Sequence, residues 1–167
     1  PISGVIHNTN GASGVLNLVT ENAGTWVLSG ANTYSGTTTL TTGTLHLNNS
    51  GSGGTSSAIG TGAFTISTGT TIDNSSGAPV TLSTANAVNI NGSFTFGGSN
   101  DLSFVNGTVT YAGSRTVTMN GTSKTLSFGA ASPTNANTFT VNDAGTGNKL
   151  TFTSLVLAEN NLTRTQT

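Results

Sequence analysis

Residues able to do acid–base or metal chemistry are few in this chain, and they are scattered. The acids are Glu21, Asp73, Asp101, Asp143 and Glu159; the bases are His7, His46, Arg115, Lys124, Lys149 and Arg164. Proton-transfer catalysis needs such groups held close together. No two carboxylates are spaced to share one face of a strand. His46 lies between Leu45 and Leu47, so alternation turns it outward as a surface histidine, and His7 reads the same way. Asp73-Asn74 and Asn142-Asp143 are the best candidates for a weak cation contact. Both read more simply as Asx turns at corners. Calcium-binding nonapeptides, a nucleophile elbow, a phosphate loop and a dinucleotide fingerprint are all absent from the sequence. So is cysteine, which removes disulfides and thiolate metal sites. The expectation is no catalytic residue, no cofactor and no metal.

Composition narrows the partners. Only 5% of the 167 residues are charged and the formal net charge is -1. Nothing here draws the chain electrostatically to nucleic acid or to anionic lipid. No apolar run approaches the ~20 residues of a membrane-spanning helix. The polar surface must come from Thr, Ser, Asn and Gly. Such a composition also suits a disordered linker, but a linker has no need of the periodicity described next. The opening at Pro1, without Met or a signal peptide, reads as a mature fragment or a segment of something longer.

The elements that would position any site are strands. Apolar residues alternate in pairs along the chain: Leu45/Leu47, Phe64/Ile66, Val88/Ile90, Phe94/Phe96, Leu102/Phe104, Val109/Tyr111, Val117/Met119, Leu126/Phe128 and Leu150/Phe152. Period two is strand periodicity, and the intervening Thr and Ser suit a pleated surface. Leu155–Asn160 is the one helix-like stretch, and it is short. Asn-Gly at 91–92, 106–107 and 120–121 supplies sharp corners, each of which alone would read as a hairpin turn. Two features favour a parallel β-helix over an antiparallel sandwich. The strands recur every 6–9 residues or so, and the charged gatekeepers that protect sheet edges are nearly absent. At about 23 residues per coil the chain makes roughly seven coils. The whole is then one solenoid segment, residues 1–167, with a Gly/Ser-rich loop inserted at about 49–62.

One stretch carries more than composition. Residues 24–47 read GTWVLSGANTYSGTTTLTTGTLHL, and residues 59–72 continue with IGTGAFTISTGTTI. The run Leu28-Ser29-Gly30-Ala31-Asn32-Thr33-Tyr34-Ser35-Gly36, then Thr38, Leu40 and Gly43-Thr44-Leu45, resembles the autotransporter-associated β-strand repeat of bacterial surface proteins. The resemblance covers roughly residues 14–72. Residues 14–23 depart from it, lacking the basic residue often found before the first Gly. It implies a right-handed parallel β-helix that is exported, extended and non-catalytic. Its motif positions here are Trp26, Leu28, Gly30, Asn32, Thr33, Tyr34, Gly36, Leu40, Gly43 and Leu45. On the residues themselves, Trp26, Leu28, Leu40, Leu45 and Leu47 should face inward. Residues 32–36 should form a corner where Asn side chains ladder between coils and Tyr34 keeps its hydroxyl wet.

The function expected is structural: an extracellular or cell-surface stalk, adhesin segment or filament subunit. Expected partners are further copies stacked end to end, and a host or matrix surface. The alternative is a carbohydrate-binding or carbohydrate-cleaving β-helix. Ice binding by outward Thr-x-Thr triplets ranks lower, because their uneven spacing need not place them on one face.

Overall fold

In the computed structural model, residues 1–9, 14–133, 138–155 and 161–166 are described, with backbone alone at 133 and 161–166. The described residues contain no helix, only strands and the turns between them. In chain order these are β1 (Leu18–Thr20), β2 (Thr25–Leu28), β3 (Thr38–Leu40), β4 (Thr44–Leu47), β5 (Phe64–Ile66), β6 (Thr71–Asp73), β7 (Val80–Thr81) and β8 (Val88–Ile90). There follow β9 (Phe94–Phe96), β10 (Leu102–Phe104), β11 (Val109–Tyr111), β12 (Arg115–Met119), β13 (Thr125–Pro133), β14 (Thr138–Asp143), β15 (Lys149–Leu155) and β16 (Asn161–Gln166).

Every pairing between these strands is parallel, so Asn91-Gly92 and Asn106-Gly107 turn corners and close no hairpin. A seven-stranded sheet, β2-β4-β6-β9-β12-β14-β16, forms the first face. The nine-stranded sheet supplies two more. β1, β3, β5, β8 and β11 line the second face, and β7 and β10 the third. β13 joins them: Leu126 lies opposite Leu102 of β10 and Ala131 opposite Val109 of β11. The bend falls at Gly129, where a Cβ would run into the carbonyl oxygen of Gly107 on the coil before. β15 then follows β13 around the same corner.

The result is a parallel β-solenoid of about six turns. Length alone suggested roughly seven. The coil length itself is as expected: Trp26, Leu45, Ile72, Phe96, Met119, Asp143 and Gln166 are successive partners on the first face, 140 residues in six steps, and the longest step, Leu45 to Ile72, holds the 49–62 segment. That segment is not all surface, since Ala58 and Ile59 are fully buried.

Parallel register puts like residues in columns, and the columns make the core. Leu45, Ile72, Phe96 and Met119 are successive partners on the first face, all 0% exposed. Phe104, Phe128 and Phe152 stack along the third face with ring centroids 5.4 and 5.7 Å apart, and Phe64 caps Phe104 at 5.8 Å. Such offset stacking adds to the burial of each ring. The alternating pairs named from the sequence supply this core, and Phe94, Phe96, Leu102, Phe104 and Phe128 share it.

Trp26 departs from the expectation of burial. It occupies the column of Leu45, with the inward phase foreseen, yet it is 38% exposed. The reason is vertical: among the described residues only Ile2, opposite Leu28, pairs with the far edge of β2. Truncating Trp26 therefore costs less than truncating a sandwiched ring. Phe104→Ala is expected to cost about 3–5 kcal/mol, and Trp26→Ala clearly less. Urea unfolding of the two variants, followed by circular dichroism, checks the order.

Candidate functional site

The region with the strongest sequence signature is the extended run from Leu28 to Leu40. Leu28, Gly30, Asn32, Tyr34, Gly36, Thr38 and Leu40 are all buried, whereas Thr33, Ser35 and Thr37 between them are exposed. The run expected to be a corner keeps an unbroken period of two in burial, with bends at Gly30 and Gly36. The inward polar residues are satisfied within the stack. Asn32 accepts from the Ile6 amide at 2.8 Å and donates to the Ala58 carbonyl at 2.6 Å, so one amide ties three successive coils. This is a clasp, not the stacked ladder expected. Gly30 and Gly36 leave room for the carbonyls of Gly4 and Leu16 on the preceding coil. Gly43, at φ +80, turns the chain beneath the carbonyl of Gly24.

Tyr34 also departs from expectation. It is 0% exposed, and its hydroxyl lies 2.6 Å from Thr38 Oγ1. Burial pushes its pKa up to about 12, opposed by the hydrogen bond to Thr38. Tyr111, likewise raised by burial, has a hydroxyl with no hydrogen-bond partner among the described residues.

The asparagine clasp recurs. Asn74 Nδ2 donates to the carbonyls of Ala78 and Asp101, Asn86 to those of Gly60 and Gly62, and Asn148 to that of Gly121. Asn49 reaches Ser29 and Asn106 reaches Leu82 in the same manner. Asn74 Oδ1 accepts from the Ser76 amide, the Asx turn foreseen there.

The described carboxylates near these corners serve the same end. Asp101 Oδ1 accepts the Thr125 amide at 2.8 Å, and Asp143, fully buried, accepts Asn148 Nδ2 at 2.8 Å. Asp73 takes both the amide and the hydroxyl of Ser99 on the next coil. The parallel register also sets Asp73 beside His46, with Nδ1 3.5 Å from Oδ2. His46 is therefore a largely covered neighbour of a buried acid, not the isolated surface residue expected: its side chain is 18% exposed. The contact lies outside hydrogen-bond geometry. The Ser99 hydroxyl bonds the acid and not the imidazole, so the trio lacks the serine–histidine bond that activates a nucleophile. Its span, one coil of 27 residues, hid it from any short sequence window. Glu21 and His7 are exposed. Glu159 and the side chain of Arg164 lie outside the described residues, as does most of Leu155–Asn160. No group of three His, Cys, Asp or Glu able to hold a metal occurs among the described residues.

The Thr-x-Thr triplets divide among the faces. Thr118 belongs to a rank with Thr95, Thr71, Thr44 and Thr25 on the first face. Thr110 aligns with Asn89, Thr65 and Thr39 on the second, and Thr151 with Ser127 on the third. Hydroxyl ranks on every face follow from the strand preference of Thr and single out none of them.

Comparison with known families meets the same stretch. Residues 18–47 match the family model of the passenger-associated-transport-repeat. The matched span opens on the first residue of β1 and closes on the last of β4, inside the 14–72 region that carried the resemblance. No curated protein and no solved structure matches the chain. The matched span contains the Asn32 clasp and the close backbone approaches at Gly30, Gly36 and Gly43.

Two outcomes follow. Asn32→Ala leaves the Ile6 amide and the Ala58 carbonyl unpaired and is expected to cost about 1–3 kcal/mol, against under ~0.5 kcal/mol for exposed Thr33→Ala; denaturant midpoints decide. Tyr34 gives a pH dependence of definite sign. Its folded pKa lies above the unfolded value, so its contribution is complete below pH ~10 and is lost as pH rises towards 12. Melting temperature should fall across that window. With only two tyrosines in the chain, tyrosinate absorbance should show neither titrating at its ordinary value in the folded state.

Proposed function

We propose that this chain is a structural segment of an exported bacterial passenger, held outside the cell or at its surface as a rigid, non-enzymatic spacer. The observation that carries the reading is the passenger-associated-transport-repeat at residues 18–47, built into a parallel β-solenoid. Physical features support it. The described corner acids accept hydrogen bonds within or between coils, so they hold the stack and are not free for chemistry. The outer faces display Thr, Ser and Asn, which hydrate well without charge. The stack is tied by backbone ladders along its axis, an arrangement that resists bending and leaves few loops for proteases. Roles as an adhesin or filament subunit are finer versions of the same proposal. Among the described residues no helix is long and apolar enough to cross a membrane.

The test has two arms. Broad-specificity protease under native conditions should leave a core containing residues 14–133 intact for far longer than a denatured control. Incubation with a panel of plant, algal and bacterial polysaccharides should release neither unsaturated products nor new reducing ends. Product release, abolished by His46→Ala or Asp73→Asn, would replace the structural reading with the carbohydrate-cleaving one.

A further inference from the structure

Three Asn-Gly pairs turn corners of the solenoid in nearly the same local sequence. They read Ile90-Asn91-Gly92-Ser93, Val105-Asn106-Gly107-Thr108 and Met119-Asn120-Gly121-Thr122. A fourth, Asn10-Gly11, lies outside the described residues. Asn-Gly can lose ammonia without an enzyme, because glycine places no Cβ beside the amide nitrogen that must attack. That nitrogen bonds to the asparagine Cγ and gives its proton to solvent, the Cγ–Nδ2 bond breaks, and ammonia leaves. Water then opens the five-membered imide at either carbonyl, giving aspartate or isoaspartate. Water is the one co-reactant. All three described asparagines are exposed, so access to water does not distinguish them.

Hydrogen bonding does. Asn106 is held at both reacting nitrogens. Its Nδ2 donates to the Leu82 carbonyl on the preceding coil at 2.7 Å, and the Gly107 amide donates to the Phe104 carbonyl at 3.3 Å. Cyclisation there must first break both bonds. The backbone amides of Asn91 and Asn120 donate to the carbonyls of Ile66 and Phe96, but their side chains bond no described group. The amides of Gly92 and Gly121 also donate to no described group. From this contrast we propose that Asn91 and Asn120 are sites of spontaneous deamidation in the folded protein, and that its clasp protects Asn106. Conversion bears on the stack, since isoaspartate adds a backbone methylene and a negative charge. At position 120 it falls beside the Gly121 carbonyl, which accepts Asn148 Nδ2 at 2.6 Å and the Thr146 amide at 3.2 Å. At position 91 it falls beside Gly92, where even a Cβ would run into the backbone of Thr68.

The matched flanks make the unfolded chain its own control. Folded protein, and protein held unfolded in guanidinium chloride, are incubated side by side at mildly alkaline pH. Mass spectrometry of chymotryptic peptides then follows the amide-to-acid mass gain and the isoaspartate isomer at each site. In denaturant the three pairs should convert at similar rates. In the folded protein Asn106 should convert about tenfold or more slowly than Asn91 and Asn120, because each of its two bonds contributes a factor of about two to ten. Failure of either Asn91 or Asn120 to outpace Asn106 in the folded protein overturns the proposal. So does the same ranking in denaturant, which would assign the difference to local sequence and not to the clasp.

Discussion

The parallel backbone ladder sets the terms for everything else in this molecule. It places each residue directly over one of the same facing on the next coil, so side chains form columns and a column is only as well packed as its neighbours allow. An apolar column becomes a continuous core without long-range design. A polar column at a corner is harder. The chain must turn there, its ladder is interrupted, and buried amides and carbonyls need partners that charge would supply only at a high desolvation cost. Asparagine answers both needs, with two donors and an acceptor on a short neutral side chain. Asn32, Asn74, Asn86 and Asn148 each bind backbone on an adjoining coil. The low charge of the composition and the abundance of Asn, Gly and Thr are therefore consequences of the architecture.

The same columns explain why the sequence was legible in parts. Alternating pairs such as Phe94/Phe96 and Leu126/Phe128 announce both strand and facing, because apolar side chains with period two have one reading. The run from Leu28 to Leu40 has the same period, but its inward positions include Gly30, Asn32, Gly36 and Thr38, and a hydropathy pattern passes over them. Tyr34, in phase with those four, was a usable signal: its place among the even residues marks it as buried. Facing and burial part company at Trp26. Its phase was readable from Leu28 two residues on, but its exposure depends on what lies above it along the axis, which local sequence does not encode. His46 and Asp73 are hidden for a third reason. Their meeting depends on the length of the 49–62 segment, and one residue more or less there would place a different side chain opposite His46.

The same dependence separates stability from chemistry. In an enzyme of this architecture, acids on neighbouring coils would converge on one face with room for substrate between them. Here Asp73, Asp101 and Asp143 are engaged by the Ser99 amide, the Thr125 amide and the Asn148 side chain. Each of these carboxylates has an oxygen already taken up by a bond that ties parts of the stack together. Changing any one of the three would remove a tie between parts of the stack before it created a reactive group.

Stability in such a stack is local and additive, since each coil touches only its neighbours. Interior coils gain from contacts on both sides, whereas a terminal coil gains from one. The described N-terminal coils show the difference: Ile2, Ile6 and Leu18 are only partly buried, while residues in the same facing two coils on reach 0% exposure. A coil added at that end would convert half-covered columns into covered ones without altering any contact already present. The gain per added coil is the same whether the coil belongs to one chain or another, because the ladder reads only the backbone and the column.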